Sequence, residues 1–351
     1  MVREWDPRTA SPAEIESLAD MLNAILAVDL PEDPLWQTDR LREYFTETMP
    51  GQRRICWVAE DGPADRPPQI RGLVHILLLG DSGVVEVLVH PGVRRRGFGS
   101  LLLSTAAHRA YQEGFSSIGV EVPGDTSAVA FYESLGFVKE YVEIRSILQL
   151  CSVDWDALGE MARGIGAGYR SEFYPDTPPD DLLETYARAK AEIRDTADSD
   201  LDPRPSSVDP QRLRESLTCL RRRGLRPYIV TAIHEKTGEV AGLTEVVVPA
   251  QHPARADQYD TIVVQDHRGY GIDRAIKARM LFELRLAEPK LSEVQTWNAQ
   301  VNESMLKVNA DLGFQPDRDW CEYGIDVAEL VHRLDVRLDN HRPAPERPVR
   351  G

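Results

Sequence analysis

The stretch that decides the fold runs from Val85 to Gly114 and reads VEVLVHPGVRRRGFGSLLLSTAAHRAYQEG. A β-branched strand ends at Pro91, three arginines follow, and Gly97-Phe98-Gly99 opens a helical pattern with one apolar face. Glycine lets the backbone approach a ligand closely, and the free N–H groups and dipole of a helix's first turn favour an anion. Basic side chains beside such a turn suit a pyrophosphate. The stretch therefore predicts a strand, a turn that binds an anion, and a helix.

The segments around this unit predict an α/β order over the first 150 residues or so. Ser11-Pro12-Ala13-Glu14 combines an N-cap serine, a proline at the first helical position and a glutamate three residues after the cap, which predicts a helix start. A second helix is expected over residues 35–48, and three strands and the turn-bound helix follow. A strand, a short helix and a last strand complete the order: SSIGVEV, TSAVAFYESL and EYVEIRSILQL. The stretch DGPADRPPQ is expected to be a hairpin loop.

The remainder of the chain repeats the same order. Arg94 lies 43 residues before Phe137, and Arg268 lies 46 residues before Phe314, in segments of matching pattern. Two copies of one unit also explain a length of 351 residues, which exceeds what one hydrophobic core usually serves. We predict a first half at residues 1–152, a second half at 153–338, and a disordered tail at 339–351 that is rich in Arg and Pro.

Two motifs of the first half resemble those of the GNAT superfamily of N-acetyltransferases. Residues 94–99, RRRGFG, resemble the family's Q/R-x-x-G-x-G/A turn, and residues 125–137, DTSAVAFYESLGF, resemble its N-x-x-A-x-x-x-Y-x-x-L-G-F block. The resemblance implies two tandem domains of α/β (α+β) class, each a mixed, mostly antiparallel sheet with splayed central strands and flanking helices. It implies acetyl-CoA or another short acyl-CoA as co-substrate. The residues that it implies for CoA binding are Val87, Leu88, Val89, Arg94, Arg95, Arg96, Gly97, Phe98, Gly99, Ser100, Asp125 and Ala128.

The second copy departs from this pattern at two positions. Residues 268–272, RGYGI, keep the register of the turn, but Asp273 stands where the first copy has Gly99, and Asn309 stands where it has Tyr132. A carboxylate at a turn meant for pyrophosphate should repel it. This half is similar to the second half of tandem acetyltransferases of the mycothiol synthase type. We expect its fold to be kept and its CoA motif to be degenerate.

Acyl transfer from a thioester to an amine needs a neutral amine, a donor for the oxyanion and an acid for the departing thiolate. By the resemblance, the phenol of Tyr132 would protonate the CoA sulfur. Glu121, in a register similar to the glutamate of ribosomal-protein acetyltransferases, and Glu86 on the preceding strand are rival bases. For each glutamate alone, a solvated strand residue is an equal expectation. In the second copy the weaker candidates are Glu245, His267 and Asn309.

Composition limits the partners of the chain. A net charge of -16 argues against a nucleic-acid partner, since phosphate neutralisation needs a basic footprint. No apolar run is long enough to span a bilayer, and the polar amino terminus lacks the core of a secretory signal, so we expect a cytoplasmic protein. The four cysteines form no Cys/His pattern, which predicts no metal site.

The sequence therefore predicts transfer of an acetyl or other short acyl group from CoA to a primary amine of a small molecule. The acidic surface favours a cationic acceptor through steering. One alternative is acylation of a protein or peptide amine, which requires an open groove across the splayed strands. The other is an acyl-CoA-binding or scaffold protein that has lost turnover in both copies. The acceptor, the acyl group and the oligomeric state are left open.

Overall fold

A computed structural model describes residues 1–61, 69–192 and 209–339. Residues 62–68 of the predicted loop at 61–69, residues 198–208 of the predicted loop at 198–209, and the tail beyond Asp339 lie outside the described residues. The helices are α1 (Pro12–Asp29), α2 (Thr38–Thr46), α3 (Phe98–Gln112), α4 (Ser127–Glu133), α5 (Trp155–Arg163), α6 (Leu183–Ala191), α7 (Pro210–Arg222), α8 (Ile272–Ala287), α9 (Glu303–Asp311) and α10 (Val327–Asp339). None of them, within the described ranges, has the length and apolar character that a bilayer span requires.

The strands of the described residues form one sheet with helices on both faces. They are β1 (Val2–Trp5), β2 (Arg53–Asp61), β3 (Gln69–Leu79), β4 (Ser82–Val89), β5 (Ser117–Pro123), β6 (Val138–Gln149), β7 (Tyr169–Tyr174), β8 (Leu225–His234), β9 (Val240–Pro249), β10 (Arg255–Val263), β11 (Glu293–Ala299) and β12 (Gln315–Asp326). Successive residues of β3 enter opposite cores: Leu73 packs with α1, and Val74 packs with α3. The α/β class is confirmed. The sequence did not predict β1, α5, β7 or α10.

The helix start at Ser11 is a complete capping box, as predicted. The Ser11 backbone N–H donates to Glu14 at 2.8 Å, and the Glu14 backbone N–H donates to the Ser11 hydroxyl at 3.3 Å. Two N–H groups at the helix start are thereby satisfied. The capping box sets the direction in which α1 enters the core.

Central strands of both halves splay apart, as the fold prediction requires. Strands β4 and β5 run parallel but pair only over residues 82–84 with residues 117–119. Strands β10 and β11 pair in the same parallel way over residues 255–258 with residues 293–296. Beyond these short pairings each pair of strands diverges, and a cavity lies beside the carboxyl end of β4.

The two halves exchange their last strands. The strand order is β1-β2-β3-β4-β5-β12-β6-β11-β10-β9-β8-β7. Strand β12 of the second half pairs with β5, whereas β6 of the first half pairs with β11, and β6 and β12 pair with each other in the middle. Helix α10 follows β12 and packs on α3. The predicted boundary at residue 152 therefore divides two sequence copies, but it does not divide the sheet.

A buried ion-pair cluster ties the two halves together. Arg145 on β6 is 1% exposed, and it donates to Asp33 at 3.0 Å and to Asp317 at 2.6 Å. Arg255 on β10 donates to the same Asp33 carboxylate at 2.9 Å and also pairs with Glu293. Asp33 lies in the segment between α1 and α2, so its pair with Arg255 holds that segment against the second half. Buried charges persist when they are paired in this way.

Candidate active site

A cavity of about 860 Å³ lies at the splayed end of β4 and is lined by both halves of the chain. From the first half come β4, the turn before α3, the end of β5, and α4, together with α1 and α2. From the second half come the end of α7 and parts of β8 to β12, among them Arg223, Asp257, Gln295 and Trp320. Its volume is in the range of small-molecule and cofactor pockets.

The turn before α3 has the backbone of an anion-binding loop. Gly97 adopts φ 86° as the N-cap residue of α3, and no side chain caps this helix. The first-turn N–H groups of α3 are therefore available to a ligand. Arg95 adopts φ 64°, a left-handed conformation that costs a non-glycine residue about 1–2 kcal/mol. In the second half Gly269 and Gly271 repeat this conformation, with φ 84° and 68°.

The three arginines of the turn have different environments. Arg94 donates to the Val89 carbonyl at 3.1 Å and makes a bidentate pair with Asp29 at 2.8 and 2.5 Å. Its charge is neutralised, so it holds the turn against α1. Arg95 and Arg96 are exposed, line the cavity and form no ion pair within the described ranges. These two guanidinium groups are the ones free to meet an anion at the turn.

Most of the predicted site residues line this one cavity. They are Glu86, Val87, Leu88, Val89, Arg94, Arg95, Arg96, Gly97, Gly99, Ser100, Glu121, Ala128 and Tyr132. Two predicted residues do not. Phe98 packs against the core of the first half, because the first turn of α3 directs its side chain inward. Asp125 accepts a hydrogen bond from Arg318 at 3.0 Å, and the N-cap of α4 is Thr126 instead.

Tyr132 is buried beside β4. It is 2% exposed, and its ring makes edge contacts with Phe131 and Phe137, each at 5.1 Å between centroids. Burial and the charge of Glu86 raise the pKa of the phenol well above its ordinary value, although a hydrogen bond from the Val87 backbone opposes this. The phenol therefore keeps its proton at neutral pH and can donate it into the cavity.

Glu86 lies next to Tyr132 and pairs with a buried histidine. The His75 Nε2–H donates to Glu86 Oε2 at 2.7 Å, and His75 Nδ1 has no partner among the described residues. Burial raises the pKa of Glu86, but the hydrogen bond from His75 and the charges of His75 and Arg54 outweigh it, so the net pKa is lowered. The Glu86 side chain is 51% exposed because it borders the cavity. Glu86 is thus an oriented, ionised carboxylate within reach of a ligand.

The equivalent turn of the second half is filled by the protein itself. The Asp273 carboxylate accepts a hydrogen bond from the Arg274 backbone at 2.8 Å, in the first turn of α8. Gly166 donates from its backbone to the Tyr270 carbonyl at 3.2 Å, so the chain after α5 covers the turn. A Cβ on Gly166 would lie 3.1 Å from Tyr270, which shows how tightly the two segments pack.

The weaker candidates of the second half are also engaged within the protein. Lys190 binds Glu245 at 2.5 Å and Asp260 at 3.1 Å, and both carboxylates are buried. Asn309 donates to Asn298 at 2.6 Å. His267 forms a hydrogen bond with the Tyr169 hydroxyl at 2.9 Å. All three candidates therefore have partners within the second half.

The second half contributes cavity residues that sequence reasoning missed. Asp257 on β10 accepts a hydrogen bond from Gln295 at 2.6 Å, and burial raises the pKa of its carboxyl to about 6. Gln295 is 8% exposed, and its Oε1 has no partner among the described residues. Arg223 and Trp320 border the same space. No local sequence signal marks these residues, because only the exchanged sheet brings them to the cavity.

Comparisons with known proteins agree with this architecture. Residues 52–139 match the family model described as "Acetyltransferase (GNAT) domain". A search of curated proteins finds no significant relative. The prediction of a mycothiol synthase type for the second half stays a prediction.

Solved structures extend the likeness to nearly the whole chain. A tandem GNAT protein from the clavulanic acid biosynthesis pathway matches with a TM-score of 0.79 and 23% identity, covering 93% of this chain and 98% of that one. A GCN5-related N-acetyltransferase from Sphaerobacter thermophilus matches with a TM-score of 0.65 and 14% identity, covering 93% and 95%. These low identities establish the fold alone. The chain thus carries a GNAT acetyltransferase domain in its first half and has the fold of tandem GNAT proteins over nearly its whole length.

Proposed function

We propose that the protein transfers an acetyl or other short acyl group from CoA to a primary amine of a small molecule, in one cavity and without a covalent enzyme intermediate. The observation that carries the proposal is the meeting of an uncapped helix start, two unpaired arginines, the free edge of β4 and a protonated tyrosine around that cavity. Each of these features matches one part of an acyl-CoA or one step of its reaction.

Acyl-CoA would bind along the turn and β4. The first-turn N–H groups of α3, with the side chains of Arg95 and Arg96, would hold the pyrophosphate. The pantetheine arm would follow the backbone of Val87, Leu88 and Val89, where β4 has no partner on the splayed side. A backbone N–H near Leu88 or Val89 would stabilise the oxyanion. This places the thioester beside Tyr132.

Direct transfer then needs one base and one acid. The amine nitrogen attacks the thioester carbonyl carbon, a C–N bond forms, the C–S bond breaks, and the amine proton passes to a carboxylate. We assign the base to Glu86 because His75 orients it and because Tyr132, which lines the same cavity, accepts a hydrogen bond from the backbone of the next residue on β4, Val87. Tyr132 donates its proton to the departing sulfur. Glu121 also lines the cavity and is the alternative base.

A small acceptor fits this cavity better than a protein chain. Acylation of a protein amine would require an open groove across the splayed strands. Here the second half and the segment between α1 and α2 border the same space, and Asp33 holds that segment through Arg145 and Arg255. This enclosure supports a small-molecule amine.

The experiment is to incubate the intact protein with acetyl-CoA and a mixture of primary amines, and to measure free CoA and acylated amine. For Glu86→Gln we expect kcat/KM to fall by about 10²- to 10⁴-fold, the range typical of general base catalysis. Glu121→Gln is the matched control and should lose less than about 10-fold. A larger loss in Glu121→Gln would transfer the base to Glu121. Acetyl-CoA binding without any acylated amine would contradict the proposed function and favour an acyl-CoA-binding protein.

A further inference from the structure

One cation at the acceptor side of the cavity lacks a partner. Arg223 follows α7 and lines the cavity from the second half, and its guanidinium lies 4.8 Å from the centre of the Tyr44 ring. Its Nε is buried without a hydrogen-bond partner, and no carboxylate within the described ranges pairs with it. A buried donor without a partner costs about 1–3 kcal/mol. Such a group is expected where a ligand supplies the missing acceptor.

A second guanidinium strengthens the positive potential at this place. Arg54 lies 5.4 Å from the centre of the same Tyr44 ring, and its Nε is also buried without a partner in the described part of the chain. Burial lowers the pKa of Arg54, and the positive charge of Arg223 lowers it further. Arg54 itself donates to the Tyr44 carbonyl at 2.6 Å, so its charge adds to the positive potential while Arg223 is the group that lines the cavity.

The other arginines of the cavity do not share this property. Arg94 is neutralised by Asp29, and Arg255 is neutralised by Asp33 and Glu293. Arg337 on α10 also lines the cavity, and it donates to the Ser134 hydroxyl at 2.9 Å. Arg95 and Arg96 lie at the turn before α3, where the proposed pyrophosphate binds. Arg223 therefore differs from them in lining the cavity from the second half without a counter-ion among the described residues.

We propose that the acceptor is a small amine that also carries a carboxylate, and that Arg223 binds this carboxylate. The inference rests on the proposed function. Guanidinium and carboxylate are planar groups that can form two parallel hydrogen bonds, so the pair also orients the acceptor. The amine then points toward Glu86. Glu86 and Arg223 line the same cavity, so we expect one small amino carboxylate to reach both groups.

This inference refines the expectation from net charge. A charge of -16 favours a cationic acceptor at long range, whereas Arg223 favours an anionic group inside the cavity. An amino carboxylate carries both charges. It would be steered by its ammonium group and recognised by its carboxylate.

The test uses the intact protein, acetyl-CoA and two pools of acceptors. One pool holds free α- and ω-amino acids, and the other holds the amides of the same compounds, which keep the amine and lose the negative charge. Acylated products are quantified by mass spectrometry. We expect wild type to prefer the acids, and Arg223→Gln to raise KM for the acids by about 10- to 100-fold while leaving the amides unchanged. Arg222→Gln, at the exposed neighbouring position, is the matched control and should behave as wild type.

Each other outcome is decisive. Equal use of both pools, or an Arg223→Gln variant that lowers acylation of acids and amides alike, would overturn the inference. The melting temperature and the acetyl-CoA affinity of Arg223→Gln identify a variant that has merely lost its fold. In that case Arg223→Lys repeats the test, because lysine keeps the charge but cannot form the bidentate pair. Preferred acylation of amines that lack a carboxylate over the matching acids would overturn the inference. Failure to bind acetyl-CoA, or binding of acetyl-CoA without acylation of any amine, would instead contradict the proposed function.

Discussion

At the scale of single residues, sequence motifs located the cavity but not every contact in it. Tyr132, Glu86 and Glu121 all line the predicted cavity, because strand and helix registers fix which face of an element a residue occupies. Arg94 matches the CoA motif, yet its guanidinium is paired with Asp29. A motif gives the position of a side chain along the chain, whereas its partner can come from a distant segment. The roles of these residues in catalysis stay predictions.

Tyr132→Phe tests the proposed acid. The ring and its contacts with Phe131 and Phe137 are kept, so acetyl-CoA affinity should change little, and the free energy of unfolding should fall by about 0.5–1.5 kcal/mol for the lost hydrogen bond. Turnover should fall by about 10²- to 10⁴-fold. Because the pKa of Tyr132 is raised, wild type should show no alkaline loss of kcat from this group below its ordinary value of 10.0.

Near-normal turnover of the Phe variant with intact binding would remove Tyr132 from the mechanism. A joint loss of binding and melting temperature would show a structural tyrosine. The acidic limb of the pH–rate profile has a separate origin. Because the pKa of Glu86 is lowered, a base at this position is protonated, and so lost, only as the pH falls below the ordinary pKa of 4.5.

At the scale of elements, most helices and strands were predictable, but their partners were not. The patterns around residues 85–114 specify a strand, a turn and a helix through local periodicity and glycine positions, and the structure has all three. Those patterns do not show whether β6 pairs with β5 of its own half or with β11 of the second half. Strand pairing depends on contacts far apart in sequence, so it was not visible in the sequence.

The exchange of β6 and β12 predicts that neither half folds alone. Buried residues of β12 and α10 complete the core of the first half: Cys321, Tyr323, Ile325, Val327, Leu330 and Leu334. Each large apolar side chain contributes about 1.5–3 kcal/mol when buried, so their sum approaches the total stability of an ordinary domain. Residues 1–152 expressed alone should therefore be unfolded or aggregated and should not bind acetyl-CoA.

Co-expression of residues 1–152 with residues 153–351 as two chains is the positive control. It should restore a soluble complex that binds acetyl-CoA, because each chain supplies the strand that the other lacks. Circular dichroism and calorimetry on the separate and joined chains make the comparison. A folded fragment 1–152 that binds acetyl-CoA with the affinity of the intact protein would contradict the exchanged arrangement.

At the scale of the whole molecule, the two copies have the same fold and unequal interiors. The first half presents an uncapped turn to a cavity, and the second half covers its turn and binds it with Asp273. The sequence predicted that the two copies differ, because Asp273 and Asn309 stand where the first copy has its motif residues. It could not predict that the second half lines the cavity of the first, since that follows from the joint sheet. The second half thus forms one wall of the cavity, which we propose to be the acceptor pocket.

Calorimetric titration of the intact protein with acetyl-CoA tests the central claim most directly. Two variants accompany it: Gly99→Asp places in the first turn the carboxylate that the second turn carries, and Gly99→Asn adds the same volume without the charge. A Cβ at Gly99 would meet Phe131 at 3.4 Å, an ordinary contact, so both should fold. The account predicts one tight site per chain, retained in Gly99→Asn and weakened about 100-fold or more in Gly99→Asp by charge repulsion. Two equivalent sites in wild type, or a Gly99→Asp variant that binds as tightly as wild type, would contradict it.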